Sequence, residues 1–132
     1  MIVFVDASAL VAMIAQEDDA NVYKSAIREA DEILWSAMSC WESISSLCFS
    51  RKFSVATARR AVEQVAGLGP FRLVPIDEAE RSLALDAYEK YGKGSGHRAK
   101  LNMGDCFAYA CAKINGARLL YKGSDFIHTD LA

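Results

Sequence analysis

The stretch that decides the fold is Met1–Ala15, MIVFVDASALVAMIA. Ile2–Val5 is apolar without alternation and rich in β-branched residues, the pattern of a strand buried on both faces. It stops at Asp6. Asp6 and Ser8 are both good helix caps, so a helix is predicted from about Ala7 to Ala15. A fully buried strand that passes straight into a helix opens a parallel α/β unit. The run is not expected to act as a signal peptide, because no basic segment precedes it and Asp6 interrupts it.

The same alternation continues along the chain. Asp18 and Asp19 open a helix to about Ala30, with acids at its positive end. Ile33–Trp35 reads as a second strand. Ser36 caps a helix to about Lys52, and Ser54 starts another that Gly67 and Gly69 stop. Phe71–Ile76 reads as a third strand, with Pro75 predicting that it ends early or lies at an edge. Asp77 and Glu80 form a capping box for a helix to about Tyr91. Gly92–Gly96 reads as a flexible loop. Asn102 or Gly104 opens a helix to about Ile114, closed by Asn115-Gly116. Arg118–Tyr121 is a fourth strand, and Lys122–Ala132 reads as a turn plus a short extended piece. These elements predict an α/β fold: a three-layer α/β/α sandwich around a mainly parallel sheet, in one domain spanning residues 1–132.

Composition bounds the function. The chain has 132 residues, a formal net charge of −2 and 52% hydrophobic residues. This excludes disorder, a coiled coil and a globally basic nucleic-acid binder, but not a local basic patch. The four cysteines, Cys40, Cys48, Cys106 and Cys111, form no C-x-x-C and sit among apolar residues. They read as buried thiols in a reducing compartment, so a cytoplasmic location is expected. No apolar run approaches the ~18 residues that a membrane span needs.

Ligands of parallel α/β sheets sit at the carboxyl ends of the strands. Asp6 follows the first strand and Asp125 lies just beyond the last. Glu42 falls at the edge of the face of its helix that also carries Trp41 and Cys48. Asp105 begins a helix that is apolar nearly all round. Four semi-buried acids from four elements repel one another and have raised pKa values unless a cation lies between them. With no Cys/His ligand pattern nearby, such oxygens suit Mg²⁺ or Mn²⁺, ions that can orient a phosphate and activate water. Taken one at a time, each acid also fits a cap, a turn or a surface ion pair.

Four segments carry a family resemblance: VDASALVAMI, SCWE, LNMGDCFAYACAK and LLYKGSDFIHTDLA. Together they resemble a PIN domain, and more narrowly the VapC-type toxin ribonucleases of toxin–antitoxin pairs. The resemblance implies a metal-dependent endoribonuclease, a homodimer and a cognate antitoxin protein that blocks the active site. It implies that Asp6 and Asp105 are the principal metal ligands, that Glu42 helps hold or orient the metal, and that Asp125 completes the cluster. Ser8 matches a hydroxyl residue that supports a ligand or the phosphate, and Thr129 and Asp130 match a common Thr-Asp ending with a supporting role.

An RNA substrate also needs cations beside the acids. Residues 90–104 hold Lys90, Lys93, His97, Arg98 and Lys100 and no acid, and they lead directly to Asp105. Arg98, Lys100 and Lys122 are the expected phosphate contacts. Residues 43–62, with Arg51, Lys52, Arg59 and Arg60, are a second basic stretch. His97 and His128 are expected to have surface or local hydrogen-bonding roles. The apolar faces around Leu10, Val11 and Ile14, and around Val55, Ala58 and Val62, suit the core, a dimer or an antitoxin. The rival readings are a receiver-like signalling domain, a dehalogenase-type phosphatase, and a catalytically silent binding module that acts through its antitoxin complex. The first lacks an exposed acceptor acid after the third strand. The second lacks the Asp-x-Asp that its chemistry needs, because Asp-Ala-Ser stands there.

Overall fold

The computed structural model describes residues 1–132. Four strands, β1 (Ile2–Val5), β2 (Glu32–Trp35), β3 (Phe71–Leu73) and β4 (Arg118–Leu120), form one parallel sheet in the order β3-β2-β1-β4. Six helices connect them: α1 (Ala7–Ile14), α2 (Ala20–Glu29), α3 (Ala37–Arg51), α4 (Val55–Ala66), α5 (Glu78–Tyr91) and α6 (Met103–Ile114).

Side chains on a strand alternate between faces, and this divides the core. Phe4, Leu34 and Leu119 point to the α5–α6 side, where they meet Ala84, Ala87, Cys106 and Ala110. Val3, Val5, Ile33 and Leu120 point to the other side, against Leu10 and Met13 of α1 and Tyr23 and Ile27 of α2. Both strand faces are apolar because both are covered, which is the three-layer sandwich that the sequence predicts. A smaller cluster, Leu47, Ala58 and Val62, joins α3 to α4.

The third strand is short and lies at an edge, as Pro75 implied, with the Val74 N–H still donating to Trp35 O at 2.8 Å. Both expected features of α5 are present: the Asp77–Glu80 capping box and an end at Tyr91. Two expectations differ. The tail after β4 contains no extended piece; residues 123–131 form successive bends and turns that bury Phe126 and Thr129. Cys106 and Cys111 are buried as expected, but Cys40 and Cys48 are only partly covered, because they flank an open groove beside α4. No helix is long and apolar enough to cross a membrane.

Candidate active site

The direction of chain travel changes between β1 and β4, and in such sheets the crevice opens at the carboxyl ends of those two strands. Asp6 stands there. It follows β1, caps α1, and donates its backbone N–H to Leu120 O at 3.0 Å, tying the ends of the two strands together. Its Oδ2 accepts the Ser8 N–H at 3.0 Å and the Ser8 hydroxyl at 2.5 Å. Ser8 Oγ accepts the Lys122 backbone N–H at 2.9 Å. Ser8 is thus both the cap neighbour and the link between the two strand ends. Burial raises the Asp6 pKa, the Ser8 hydrogen bonds oppose the rise, and the charge of Asp125 adds to it.

Asp105 reaches the same place from α6. Asn102 Oδ1 accepts the Asp105 N–H at 2.9 Å, and Asp105 Oδ2 accepts the Asn102 N–H at 3.0 Å. This reciprocal capping box fixes the carboxylate through one oxygen and leaves Oδ1 without a protein donor. Burial is the main cause that lifts its pKa, to about 7; the charges of Asp125, Asp6 and Glu42 add to it against the Asn102 hydrogen bond.

Glu42 lies on α3, half-buried, with its pKa raised by burial and by Asp6. The helix is turned differently from the sequence expectation. Trp41 and Phe49 are 73% and 84% exposed, and the inner stripe is Ser39, Ser43 and Leu47. The Ser39 and Ser43 hydroxyls return to the carbonyls of Ser36 and Ser39, so the stripe is polar in composition yet satisfied in place. Glu42 flanks that stripe, and its carboxylate fills the space above Gly104, where a Cβ would overlap Cδ and both oxygens. No cation neutralises it. Arg51 goes to Glu17 at 3.9 Å and Lys52 Nζ donates to Phe49 O at 3.4 Å.

Asp125 completes the set from the turn after β4. It is exposed, unlike the semi-buried acid expected, yet its charge reaches both Asp6 and Asp105. The four expected acids therefore converge electrostatically. They do not form a closed cage: no three acids, histidines or cysteines are already gathered into a metal-holding set. The donors are hard oxygens from separate elements with no basic partner among them. That is chemistry suited to a hard divalent cation.

The supporting residues divide. Ser8 touches the cluster. Thr129 hydrogen-bonds Phe126 O at 2.7 Å and accepts the Leu131 N–H, so it shapes the tail. Asp130 accepts the Tyr109 hydroxyl at 2.7 Å and the Tyr91 hydroxyl at 3.3 Å and pairs with Lys113, which places it beyond the first turn of α6. Of the expected phosphate contacts, Arg98 and Lys100 are exposed, with Lys100 in a left-handed backbone conformation at φ 51°. Their loop is pinned at its base by Lys93 N–H to Leu101 O and Leu101 N–H to Tyr91 O, with Leu101 fully buried. His97 Nδ1 accepts the Ala99 N–H at 3.0 Å, a local role as expected. Lys122 Nζ is engaged by Glu17 at 3.3 Å and Asp19 at 3.1 Å. The place of Gly104 was not legible beforehand: its only signal is a glycine inside the first turn of a helix otherwise rich in alanine.

Comparisons with known proteins agree with this fold. The PIN domain family model matches residues 3–131. A VapC ribonuclease of Mycobacterium bovis, Mb0640, is 44% identical over 135 residues, covering 97% of this chain and 95% of that protein. Ribonuclease VapC42 of Mycobacterium tuberculosis is 34% identical over 127 residues, covering 96% and 95%. Among solved structures, Mycobacterium tuberculosis VapC20, described as a sarcin–ricin loop cleaving toxin, superposes with a TM-score of 0.66 at 17% identity, covering 96% of this chain and 92% of that one. A parallel sheet with acids at the ends of β1 and β4, a family model across nearly the whole chain and full-length relatives of one kind lead to a single assignment: this chain belongs to the PIN-domain family, among the VapC ribonucleases.

Proposed function

We propose that the protein is the toxin of a VapBC-type toxin–antitoxin pair, a metal-dependent endoribonuclease that hydrolyses RNA phosphodiester bonds. The observation that carries this reading is that Asp6, Glu42 and Asp105, from three separate elements, lie near enough for their charges to act on one another, with no cation among them. Structural acids at such burial normally have a partner.

Asp6, Asp105, Glu42 and Asp125 would hold Mg²⁺ or Mn²⁺. A divalent ion bound there supplies neutralisation of phosphate charge and acidification of water. The chain's own contribution is placement. Ser8 holds the Asp6 carboxylate through two hydrogen bonds, and the Asn102 backbone N–H holds that of Asp105 through one. Arg98 and Lys100, exposed on the pinned loop that leads into α6, are suited to RNA phosphates on one flank. Lys122 already lies between Glu17 and Asp19, so its part is to secure the α1–α2 turn and the end of β4 rather than to reach for phosphate.

A cognate antitoxin and a homodimer belong to the same reading. Trp41, Ile44, Cys48, Phe49 and Val55 line an open apolar groove of about 400 Å³ between α3 and α4, and Trp35, Leu73 and Val62 continue it. An uncovered face of this kind on a small protein favours a protein partner. The four free cysteines are in keeping with a reducing, cytoplasmic setting.

The test is cleavage of a mixed RNA pool with Mg²⁺ or Mn²⁺ and with EDTA, beside Asp6→Asn and Asp105→Asn. Cleavage that needs the metal and falls at least about 100-fold in each variant supports the reading. Equal cleavage by wild type and both variants, or no dependence on metal, would overturn it.

A further inference from the structure

Gly104 is buried in the first turn of α6, one residue before Asp105. Its backbone is not in the left-handed region that calls for glycine. Glycine is the least favourable residue inside a helix after proline, so conformation does not explain its presence. Space does. The three atoms nearest to a Cβ at this position are Cδ and the two carboxylate oxygens of Glu42, all at overlapping distance. The other crowded glycines differ in kind: Gly69 abuts the Ile33 side chain and Gly92 abuts the ring and carbonyl of Tyr88. Only at Gly104 is the vacated volume taken by an acid, and that acid is one whose charge acts on Asp105.

From this we infer that Gly104 is a positioning residue of the acid cluster: its missing side chain lets Glu42 lay its carboxylate on the first turn of α6, beside Asp105. The inference rests on the nuclease reading above. Glu42 is the far end of a flexible side chain, whereas Gly104 belongs to a packed helix. A methyl group at Gly104 is therefore accommodated by rotation of Glu42 away from the cluster, not by displacement of α6. The fold persists and one carboxylate leaves its place.

A double-mutant cycle isolates this coupling. Wild type, Gly104→Ala, Glu42→Ala and the double variant are compared in Mn²⁺ titrations followed by electron paramagnetic resonance, in RNA cleavage, and in thermal unfolding. In the Glu42 background, Gly104→Ala is expected to weaken Mn²⁺ binding about tenfold and to slow cleavage by roughly 10–100-fold, with a Tm at or above wild type. In the Glu42→Ala background the same substitution is expected to change neither Mn²⁺ affinity nor cleavage. An equal loss in both backgrounds would show that Gly104 acts through helix α6 and not through Glu42, and would overturn the inference, as would wild-type affinity and rate in Gly104→Ala. A wild-type chain that binds no Mn²⁺ would overturn the cluster reading and this inference together; bound Mn²⁺ with no coupling in the cycle would overturn the inference alone.

Discussion

Two carboxylates meet α6 at different heights and are treated in opposite ways. Asp105, in the first turn, is buried among other acids, and its pKa rises to about 7. Asp130 docks farther along the same helix. Burial alone would raise it, but Lys113 and the Tyr109 hydroxyl outweigh that effect and bring it down to about 2. The same kind of side chain against the same helix is thus a source of strain in one place and a clasp in the other. What differs is whether the fold provides a cation. At Asp130 it does, and the acid fastens the tail to α5 and α6. At Asp105 it does not, which leaves the acid among like charges with no cation of the chain beside it.

Replacing the strained acid gives the largest effect on stability. Asp105→Asn is expected to stabilise the metal-free protein by on the order of 3–4 kcal/mol above pH 7. The sign follows from linkage. The folded pKa lies above the unfolded one, so between about pH 4 and pH 7 the native state binds the extra proton and wild-type stability falls as pH rises. The difference between variant and wild type therefore opens over this range and is flat above it. Urea unfolding in EDTA across pH 4–8 measures it, and a difference independent of pH would break the contrast.

Asn102→Ala loosens the same acid without removing it. Loss of the Asn102 Oδ1 that accepts the Asp105 N–H is expected to cost about 1 kcal/mol in thermal unfolding, and to slow RNA cleavage about tenfold as the first turn that carries Asp105 loosens, the Asn102 backbone N–H to Oδ2 being kept. Unchanged cleavage at lowered stability would make Asn102 a cap only.

The smallest effect belongs to the clasp. Asp130 is 45% exposed, so solvent screens its pairing with Lys113. Asp130→Ala is expected to cost about 1 kcal/mol or less, and to leave cleavage within about threefold. Its folded pKa is depressed, so its stabilising share is present at neutral pH and lost as pH falls from about 4 toward 2, opposite in direction to Asp105. Parallel acid titrations of the two variants sharpen the comparison directly.

Local signals in the sequence carried most of the scaffold. The apolar run before Asp6, the Asp77–Glu80 box and Pro75 each act within a few residues, and each is found where it pointed. Asp6 and Asp105 were legible for the same reason, as acids at element starts. Long-range packing was not. On α3, apolar content pointed to Trp41 and Cys48, whereas the helix buries Ser39 and Ser43; a hydroxyl bonded back to its own helix makes a polar stripe packable, and periodicity of apolar residues misses it. Asp125 was expected to be partly buried, but it stands in solvent beside the buried Phe126. The grip of Tyr91, Tyr109 and Lys113 on Asp130 and the approach of Glu42 to Gly104 join residues far apart in sequence, where no spacing rule reaches.

The sheet itself has a consequence for how the protein meets other chains. Its two outer strands, β3 and β4, are three residues each. On β3, Arg72 is paired with Glu32 at 2.9 Å, and Pro75 soon follows with no N–H to offer. Edges this short and charged give a passing strand little to zip onto. The protein can therefore leave a hydrophobic helical face uncovered with little risk that neighbouring copies will propagate into a fibre through their sheets.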